Sequence, residues 1–210
     1  MWKWIVALLL FGVLGCMGAV GAGGWWWWSN EKARAQAVAV ELAEAEQARE
    51  AAVEQVAVEA DRANRLEEAR VAYGAGNHAV AVDAYTDVLE ADPAQGEAWL
   101  GRGRSYAQLD RLDLAEGDLR RATQLDPTRV EGWESLAWVL ARNGRDAEAV
   151  TALDRLVALD PVNAKAIRDR ANARYRSGDV GGAVFDAKRA CSMGLAEGCA
   201  LEEKIRAATR

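Results

Sequence analysis

Residues 92–161 read DPAQGEAWLGRGRSYAQLDRLDLAEGDLRRATQLDPTRVEGWESLAWVLARNGRDAEAVTALDRLVALDP, and the architecture of the chain can be predicted from them. It contains the only three prolines of the chain, Pro93, Pro127 and Pro161, which are evenly spaced and each follow an aspartate. Proline disfavours the helical conformation in the residue before it and cannot donate a helical hydrogen bond, so each Asp-Pro step predicts a helix end. A fixed period of about 34 residues predicts a stacked array of one small helical unit.

Small and large apolar residues recur with the same period. The second unit carries Trp99, Gly103, Tyr106, Ala115, Ala122 and Pro127. The third carries Trp133, Leu136, Ala137, Leu140, Gly144, Ala149, Leu153, Leu156 and Pro161. The small residues would let two antiparallel helices approach closely, and the larger ones would fill the space between units. About three stacked units are needed for a stable array.

This pattern resembles the tetratricopeptide repeat (TPR), whose signature is Trp-x2-Leu-Gly-x2-Tyr, then Ala-x3-Phe, then Pro. The resemblance covers about 62–195 and implies an all-α fold, a solenoid of about four helix-turn-helix repeats. We place these repeats at about 62–95, 96–129, 130–163 and 164–195, followed by a capping helix over 196–210. Two partial repeats flank the two near-complete ones, and the fourth has Leu195 where the proline should fall.

The resemblance also implies where a partner would bind. The first helix of each repeat lines a concave groove in such arrays, and its second, fifth, ninth and twelfth positions usually face the ligand. Carried onto this sequence, these positions predict partner-binding residues at Leu66, Arg70, Tyr73, Glu97, Leu100, Arg104, Glu131, Glu134, Trp138, Lys165, Arg168, Asn172 and Tyr175.

Four of these residues have the chemistry of interface anchors. Trp138 and Tyr175 would contribute large aromatic surfaces. Arg104 and Arg168 could grip a carboxylate through forked hydrogen bonds. The carboxylate clamp of the family needs a Lys/Asn pair in the first repeat, where this sequence departs from the pattern, so a clamp for chaperone tails is not expected.

The N-terminal stretch 5–24, IVALLLFGVLGCMGAVGAGG, is almost wholly apolar and about as long as a bilayer core is thick. Tryptophans flank it at positions 2, 4 and 25–28, as is typical of membrane interfaces. Residues 1–28 are therefore predicted to be a transmembrane anchor. The residues leave two alternatives open, a cleaved signal peptide and a lipoprotein signal modified at Cys16.

Residues 29–61 contain eight acidic and three basic residues and no glycine or proline, which predicts one long helix. It would form a stalk that continues into the first repeat. Val38, Leu42, Ala45, Ala52 and Val56 form a thin apolar stripe, typical of either a weak coiled-coil seam in a homo-oligomer or a solvated stalk.

The segment AKRACSMGLAEGCALEEK, residues 187–204, resembles Sel1-like relatives of the TPR. In these relatives a Cys-x7-Cys pair bridges adjacent antiparallel helices. The resemblance implies a disulfide between Cys191 and Cys199, and with it an oxidising compartment. Two buried free thiols are the alternative. Together with the anchor, this predicts a single-pass protein of the bacterial inner membrane whose soluble part lies in the periplasm.

The net charge of −6 argues against general nucleic-acid binding. Residues 162–210 nevertheless carry ten basic and six acidic residues, so an acidic peptide could dock at that end of the array. The sequence contains none of the motifs GxGxxG, Walker loop, Gly-x-Ser-x-Gly or HExxH, and its lone histidine, His78, falls at a packing position. No catalysis, metal or cofactor is expected.

The predicted function is a membrane-anchored scaffold or adaptor that binds a partner protein or peptide in its groove. Two alternatives stay open at this point. One is an oligomeric structural component of an envelope assembly, such as a secretion, pilus or motor complex. The other is an envelope-biogenesis lipoprotein held through Cys16.

Overall fold

The computed structural model describes residues 22–209, and all the regular secondary structure in that range is helical. The predicted all-α fold is confirmed for these residues. The helices are α1 Ala22–Gly74, α2 His78–Ala91, α3 Gly96–Gln108, α4 Leu112–Leu125, α5 Val130–Arg142, α6 Asp146–Leu159, α7 Ala164–Arg176, α8 Val180–Ser192 and α9 Ala196–Ala208. The described part of the chain divides after Val58 into two units, 22–58 and 59–209.

In the first unit, helix α1 is exposed at every position from Glu31 to Val58. The apolar side chains of its thin stripe are open to solvent, with exposed fractions of 53% at Val38, 62% at Leu42 and 66% at Val56. The stalk predicted for 29–61 falls on this helix. The stalk and the proposed division of the chain into domains stay predictions.

The predicted localisation, a single-pass inner-membrane protein with a periplasmic soluble part, is wrong for the part of the chain that the structure describes. No helix within residues 22–209 is both long enough and apolar enough to cross a membrane. The longest helix, α1, carries charged residues from Glu31 onward, whereas a span needs about 20 predominantly apolar residues. The apolar stretch 5–24 lies almost entirely outside the described residues, and so does Cys16.

In the second unit, each helix from α2 to α8 packs against the next one along the chain. Turns of three or four residues join the helices, and turns this short place consecutive helices antiparallel. Helices α3, α5 and α7 begin at Gly96, Val130 and Ala164, with the same spacing as the prolines.

The Asp-Pro turns are closed by bonds that repeat with the same period. The indole Nε1 of Trp99 donates to the carbonyl oxygen of Pro93 at 2.9 Å, and Trp133 makes the same bond to Pro127. Ile167 occupies the equivalent position in the next repeat, and there the Arg189 guanidinium donates to Pro161 O at 2.8 Å. Each of the three proline carbonyls therefore has a side-chain donor.

The turns within the helix pairs place one residue in the left-handed region once per repeat. Glycine occupies this place at Gly76, Gly144 and Gly178, with φ between 71° and 93°. Asp110 takes the same place with φ 59°, a conformation that aspartate adopts more readily than most residues. The departure from glycine in the second repeat therefore leaves the turn intact.

Three apolar clusters form the core of the second unit. The largest joins α3 to α8 and contains the fully buried Leu119, Val139, Leu140, Leu156 and Ile167. A second cluster lies where α2 and the C-terminal end of α1 meet α3, and a third joins α7, α8 and α9. Leu201 and Ile205 of α9 are buried in the third cluster, so α9 covers the end of the array.

Buried ion pairs recur in alternate repeats, a feature that the sequence pattern did not predict. Arg102 makes two hydrogen bonds to Asp118, of 2.7 and 2.9 Å, and Arg170 makes two to Asp186, of 2.8 Å each. The two pairs lie two repeat lengths apart. In the repeat between them the same positions hold Leu136 and Ala152. The carboxylate of Asp186, which is fully buried, also accepts a bond from Arg174 at 2.7 Å.

A disulfide joins Cys191 at the end of α8 to Cys199 on α9. It closes a short loop across the turn and holds α9 against α8. In solution, the unreduced protein is expected to be lighter than the reduced protein by the mass of two hydrogen atoms, since a disulfide removes both thiol hydrogens. An intact mass that shows both thiols present would contradict this pairing.

The Cys191→Ser/Cys199→Ser variant is expected to lose about 2–3 kcal/mol of stability, because the loop that the bond closes is short. The loss should appear in urea unfolding and fall mainly on α9. The single variant Ser192→Ala, beside the bridge in sequence, is the matched control and should unfold as the wild type does.

Candidate functional site

Two pockets open on the faces of the odd-numbered helices, the first helix of each pair. The first pocket, of about 150 Å³, is lined by Arg70, Tyr73, Tyr85, Glu97, Leu100, Gly101 and Arg104. The second pocket, of about 460 Å³, is lined by Glu134, Ala137, Trp138, Ala141, Leu153, Leu156, Ala166, Arg168, Asp169, Asn172 and Arg176. We call the surface that carries both pockets the groove.

The floor of the first pocket depends on a glycine. The Tyr85 ring is 3% exposed and lies directly over Gly101, where a Cβ atom would overlap the ring. Burial raises the pKa of the Tyr85 hydroxyl above its usual value. The ring therefore presents a neutral phenol to the pocket, next to the apolar side chain of Leu100.

Two arginines form the wall of the first pocket and differ in their partners. Arg70 on α1 hydrogen-bonds the Glu97 carboxylate on α3, which raises the pKa of the guanidinium, and it also reaches Glu67 at 3.2 Å. Arg104 lies over the Tyr73 ring, 5.2 Å from its centroid, and makes no ion pair with the described residues. Its charge is thus available to a ligand carboxylate.

The second pocket combines an apolar floor with an aromatic wall. Leu153, Leu156 and Ala166 form the floor and are each less than 5% exposed. Trp138 remains 44% exposed beside them, with the Arg142 guanidinium 5.0 Å from its ring centroid. Burying the rest of this indole would be favourable, since aromatic side chains carry large apolar surfaces.

The arginines around the second pocket are already paired within the protein. Arg168 donates to Asp169 at 2.9 Å, Arg176 donates to Asp146 at 2.7 Å, and Arg142 lies 3.1 Å from Asp110. The Asn172 amide donates only one long bond, of 3.4 Å, to the carbonyl oxygen of Arg168. The side chain of Asn172 therefore has hydrogen-bonding capacity left for a ligand.

The structure brings nine of the thirteen predicted partner-binding residues to the pockets. Arg70, Tyr73, Glu97, Leu100 and Arg104 line the first pocket, and Glu134, Trp138, Arg168 and Asn172 line the second. Glu131 and Lys165 are exposed one turn earlier on the same helices but line neither pocket.

The other two predicted residues pack inward. Leu66 is 8% exposed and belongs to the core cluster formed with α2, and Tyr175 packs against the cluster under α9. Both residues lie on the side of their helix that packs against neighbouring helices: Leu66 of α1 packs with α2, and Tyr175 of α7 packs with α8 and α9. His78 also packs, with its ring centroid 5.3 Å from that of Tyr73.

Some lining residues were not predicted from the sequence, among them Tyr85, Gly101, Asp169 and Arg176. Arg176 lies one repeat length after Arg142, which was not predicted and lines neither pocket, so the repeat period does not single it out. Tyr85 comes from a second helix and reaches the groove only because Gly101 leaves room for its ring. The contact exists because Gly101 has no side chain, and the TPR pattern of ligand-facing positions does not include such a contact.

The chemistry of these pockets is that of a binding surface. Within residues 22–209, no group of three or more His, Cys, Asp or Glu side chains is placed to hold a metal ion. The side chains that converge are an exposed indole, apolar floor residues, an amide and several guanidinium groups. These groups suit the recognition of a segment of another polypeptide.

Two known family models match the repeat region of the chain. A family model described as a tetratricopeptide repeat matches residues 66–130, and a second, described as a bacterial transcriptional activator domain, matches residues 100–186. Residues 66–130 therefore contain tetratricopeptide repeat sequence. Both matches end before Cys191, so the Sel1-like resemblance of the cysteine segment stays a prediction.

Curated relatives match over part of the chain. The human tetratricopeptide repeat protein 13 is 31% identical over 134 residues, which are 60% of this chain and 16% of that protein. The small glutamine-rich tetratricopeptide repeat-containing protein 2 of Mycosarcoma maydis is 29% identical over 96 residues, 46% of this chain and 27% of that protein. The chain thus spans less than a third of the length of these relatives.

Solved structures share the fold at low sequence identity. A structure of MamA has a TM-score of 0.60 at 22% identity and covers 69% of this chain and 85% of that one. YrrB, described as a TPR protein with an unusual peptide-binding site, has a TM-score of 0.65 at 18% identity, with coverages of 69% and 76%. The first TPR of Spaghetti, bound to the HSP90 peptide SRMEEVD, gives 0.51 at 21% identity, with coverages of 54% and 93%. The TPR solenoid is therefore confirmed as the fold.

Proposed function

We propose that this chain is a non-catalytic scaffold that holds a segment of a partner protein in the groove. The observation that carries the proposal is Trp138, an indole left 44% exposed beside an apolar pocket of about 460 Å³. Trp99 and Trp133, by contrast, are committed to the turns that they close. Tryptophan and arginine next to a pocket are the residues that most often dominate interface energy.

The arrangement of the pockets supports a segment rather than a single small molecule. The first pocket lies on α1 and α3 and the second on α5 and α7, so one ligand would have to extend along the array to use both. Arg104 would hold an acidic group at the first pocket, and Trp138 would cover an apolar side chain at the second. The peptide complexes of TPR structures with this fold, such as that of Spaghetti, are consistent with the proposal.

The double variant Trp138→Ala/Arg104→Glu is expected to lose its partner while the array stays folded. Because truncating an interface hot spot costs at least about 2 kcal/mol, partner recovery should fall by about thirtyfold or more. Recovery is measured by crosslinking the full-length chain in its native cells, purifying it and quantifying the attached proteins by mass spectrometry. Thermal unfolding of each variant shows that the fold is kept.

The matched control is Phe185→Ala/Arg121→Glu, which also removes one exposed aromatic side chain and reverses one exposed arginine. Phe185 is 67% exposed on α8 and Arg121 is exposed on α4, and neither lines a pocket. The control should retain the partner. Equal recovery from the groove variant and the wild type would refute the proposal. No observation on the described residues favours the envelope-assembly or lipoprotein alternatives.

A further inference from the structure

The second pocket has an excess of unpaired negative charge at its edge. Glu134 lines it, Glu131 lies one turn earlier on the same exposed face of α5, and neither carboxylate makes an ion pair with the described residues. The two arginines that line the pocket, Arg168 and Arg176, are each bonded to a carboxylate of the protein itself. The charges left to meet a ligand are therefore mainly acidic.

Residues 162–210 have more basic than acidic side chains, but this excess does not make the second pocket basic. Many of the basic side chains are already bonded within the protein. Arg170 and Arg174 are bonded to Asp186, Arg189 donates to the Pro161 carbonyl, and Arg206 pairs with Glu202 at 2.8 Å. Lys165 has no ion pair within the described chain and, like Glu131, lies outside the pocket. The unpaired charges of Glu131, Glu134 and Lys165 are therefore two carboxylates and one ammonium group. The charge count that favours an acidic peptide at this end thus overstates the charge available for binding.

From this pocket and its charges we infer that the segment bound there carries a lysine or arginine next to an apolar side chain. The apolar side chain enters over Leu153, Leu156 and Ala166 and contacts Trp138. The basic side chain reaches Glu134 and Glu131 along α5. This inference rests on the proposed function and specifies the chemistry of the partner at one of its two pockets.

A basic side chain of the partner is expected beside Glu134 because of the charges that are free to interact there. A partner cation next to Glu134 would gain a carboxylate that has no competing intramolecular cation, whereas a partner anion next to Arg168 would meet a guanidinium whose charge Asp169 already partly neutralises. Complementary charges of this kind determine which partner binds more than how tightly it binds. The interaction should therefore weaken as salt screens it.

The test uses a library of peptides, because the sequence of the bound segment is not known. A random linear peptide library displayed on phage is enriched on the immobilised full-length chain and depleted on its Trp138→Ala variant. The enriched sequences are expected to place Lys or Arg beside a large apolar residue. Enriched sequences with Asp or Glu in that place would overturn the inference and leave the proposed function standing. If no peptide depends on Trp138, both fail.

The affinity of an enriched peptide then tests the two glutamates directly, by fluorescence anisotropy of a labelled synthetic copy. Glu131→Gln/Glu134→Gln should weaken binding about fivefold or more, as expected for the loss of two exposed charge pairs. Asp83→Asn/Glu90→Gln, which removes two exposed charges on α2, should leave binding unchanged. An equal affinity for all three proteins, or an affinity independent of salt, would contradict the inference.

Discussion

Replacing Asp186 with alanine is expected to lower the free energy of unfolding by about 3–5 kcal/mol. Asp186 is fully buried between α7 and α8 and receives hydrogen bonds from Arg170 and Arg174. The side chain of Arg170 is only 11% exposed, so removing the carboxylate leaves a guanidinium with little access to water. The Arg170 guanidinium keeps one bond, of 2.8 Å, to the half-exposed Asp154. The cost therefore comes mainly from its other donors, which lose the buried carboxylate that accepted them.

The third repeat supplies a control for this prediction. It holds Leu136 and Ala152 where the fourth holds Arg170 and Asp186, so Arg170→Leu/Asp186→Ala recreates a pair that the same array already accommodates. Replacing a buried ion pair with apolar residues is often neutral. In the double variant Arg174 loses Asp186 but keeps Asp154 at 3.5 Å and Asp179 at 3.8 Å, so this variant should recover most of the loss. Asp154→Ala removes the exposed carboxylate that is bonded to the same Arg170 and leaves the buried Asp186 in place; since this side chain is 48% exposed, the change should cost about 1 kcal/mol or less.

Urea unfolding of the four proteins measures these differences. A single Asp186→Ala variant as stable as the wild type would mean that the arginines find other partners or water. A double variant no more stable than the single one would mean that the position needs the ion pair itself. Either result would contradict the claim that the cost of Asp186→Ala comes from leaving a buried arginine without its carboxylate.

Replacing Ile167 with alanine is expected to cost about 2–5 kcal/mol, because it deletes three carbons from a fully buried site. Ile167 belongs to the largest core cluster and lies on α7, which packs against both α6 and α8. Val162→Ala is the matched control. That side chain is 78% exposed, and its truncation should change stability by less than about 0.5 kcal/mol.

The loss at Ile167 should not be spread evenly along the array. Each repeat contacts mainly its neighbours, so stability is nearly a sum of local terms. Hydrogen exchange should therefore speed up in α6 to α9 more than in α2 and α3. Uniform loss of protection from α2 to α9 would show that the array unfolds as one cooperative unit.

The repeat period was the strongest signal in the sequence, and it predicted the helical array because its physical causes are local. An Asp-Pro step ends a helix whatever surrounds it, and a left-handed turn residue can be recognised at Gly76, Gly144 and Gly178. The resemblance to the TPR implied thirteen partner-binding residues, and nine of these residues line the pockets. Their role in binding a partner stays a prediction.

The features that could not be predicted from the sequence depend on contacts between residues far apart in the chain. Gly101 matters because Tyr85, in the preceding repeat, needs its space, and the Arg170–Asp186 pair depends on the packing of α7 against α8. The charge available in the second pocket depends on which arginines are already paired, a property that counting residues cannot give. The predicted inner-membrane localisation rested on a stretch that lies almost wholly outside the described residues, and no described helix supports it.

The most direct test of the central claim, that the groove is the binding surface, is site-specific photo-crosslinking. Benzoylphenylalanine replaces Trp138 in one protein and Phe185 in another, and each is irradiated in its native cells. We expect a crosslinked partner from position 138 and none of that partner from position 185, although both side chains are exposed. A partner that crosslinks from position 185 and not from position 138 would contradict the claim.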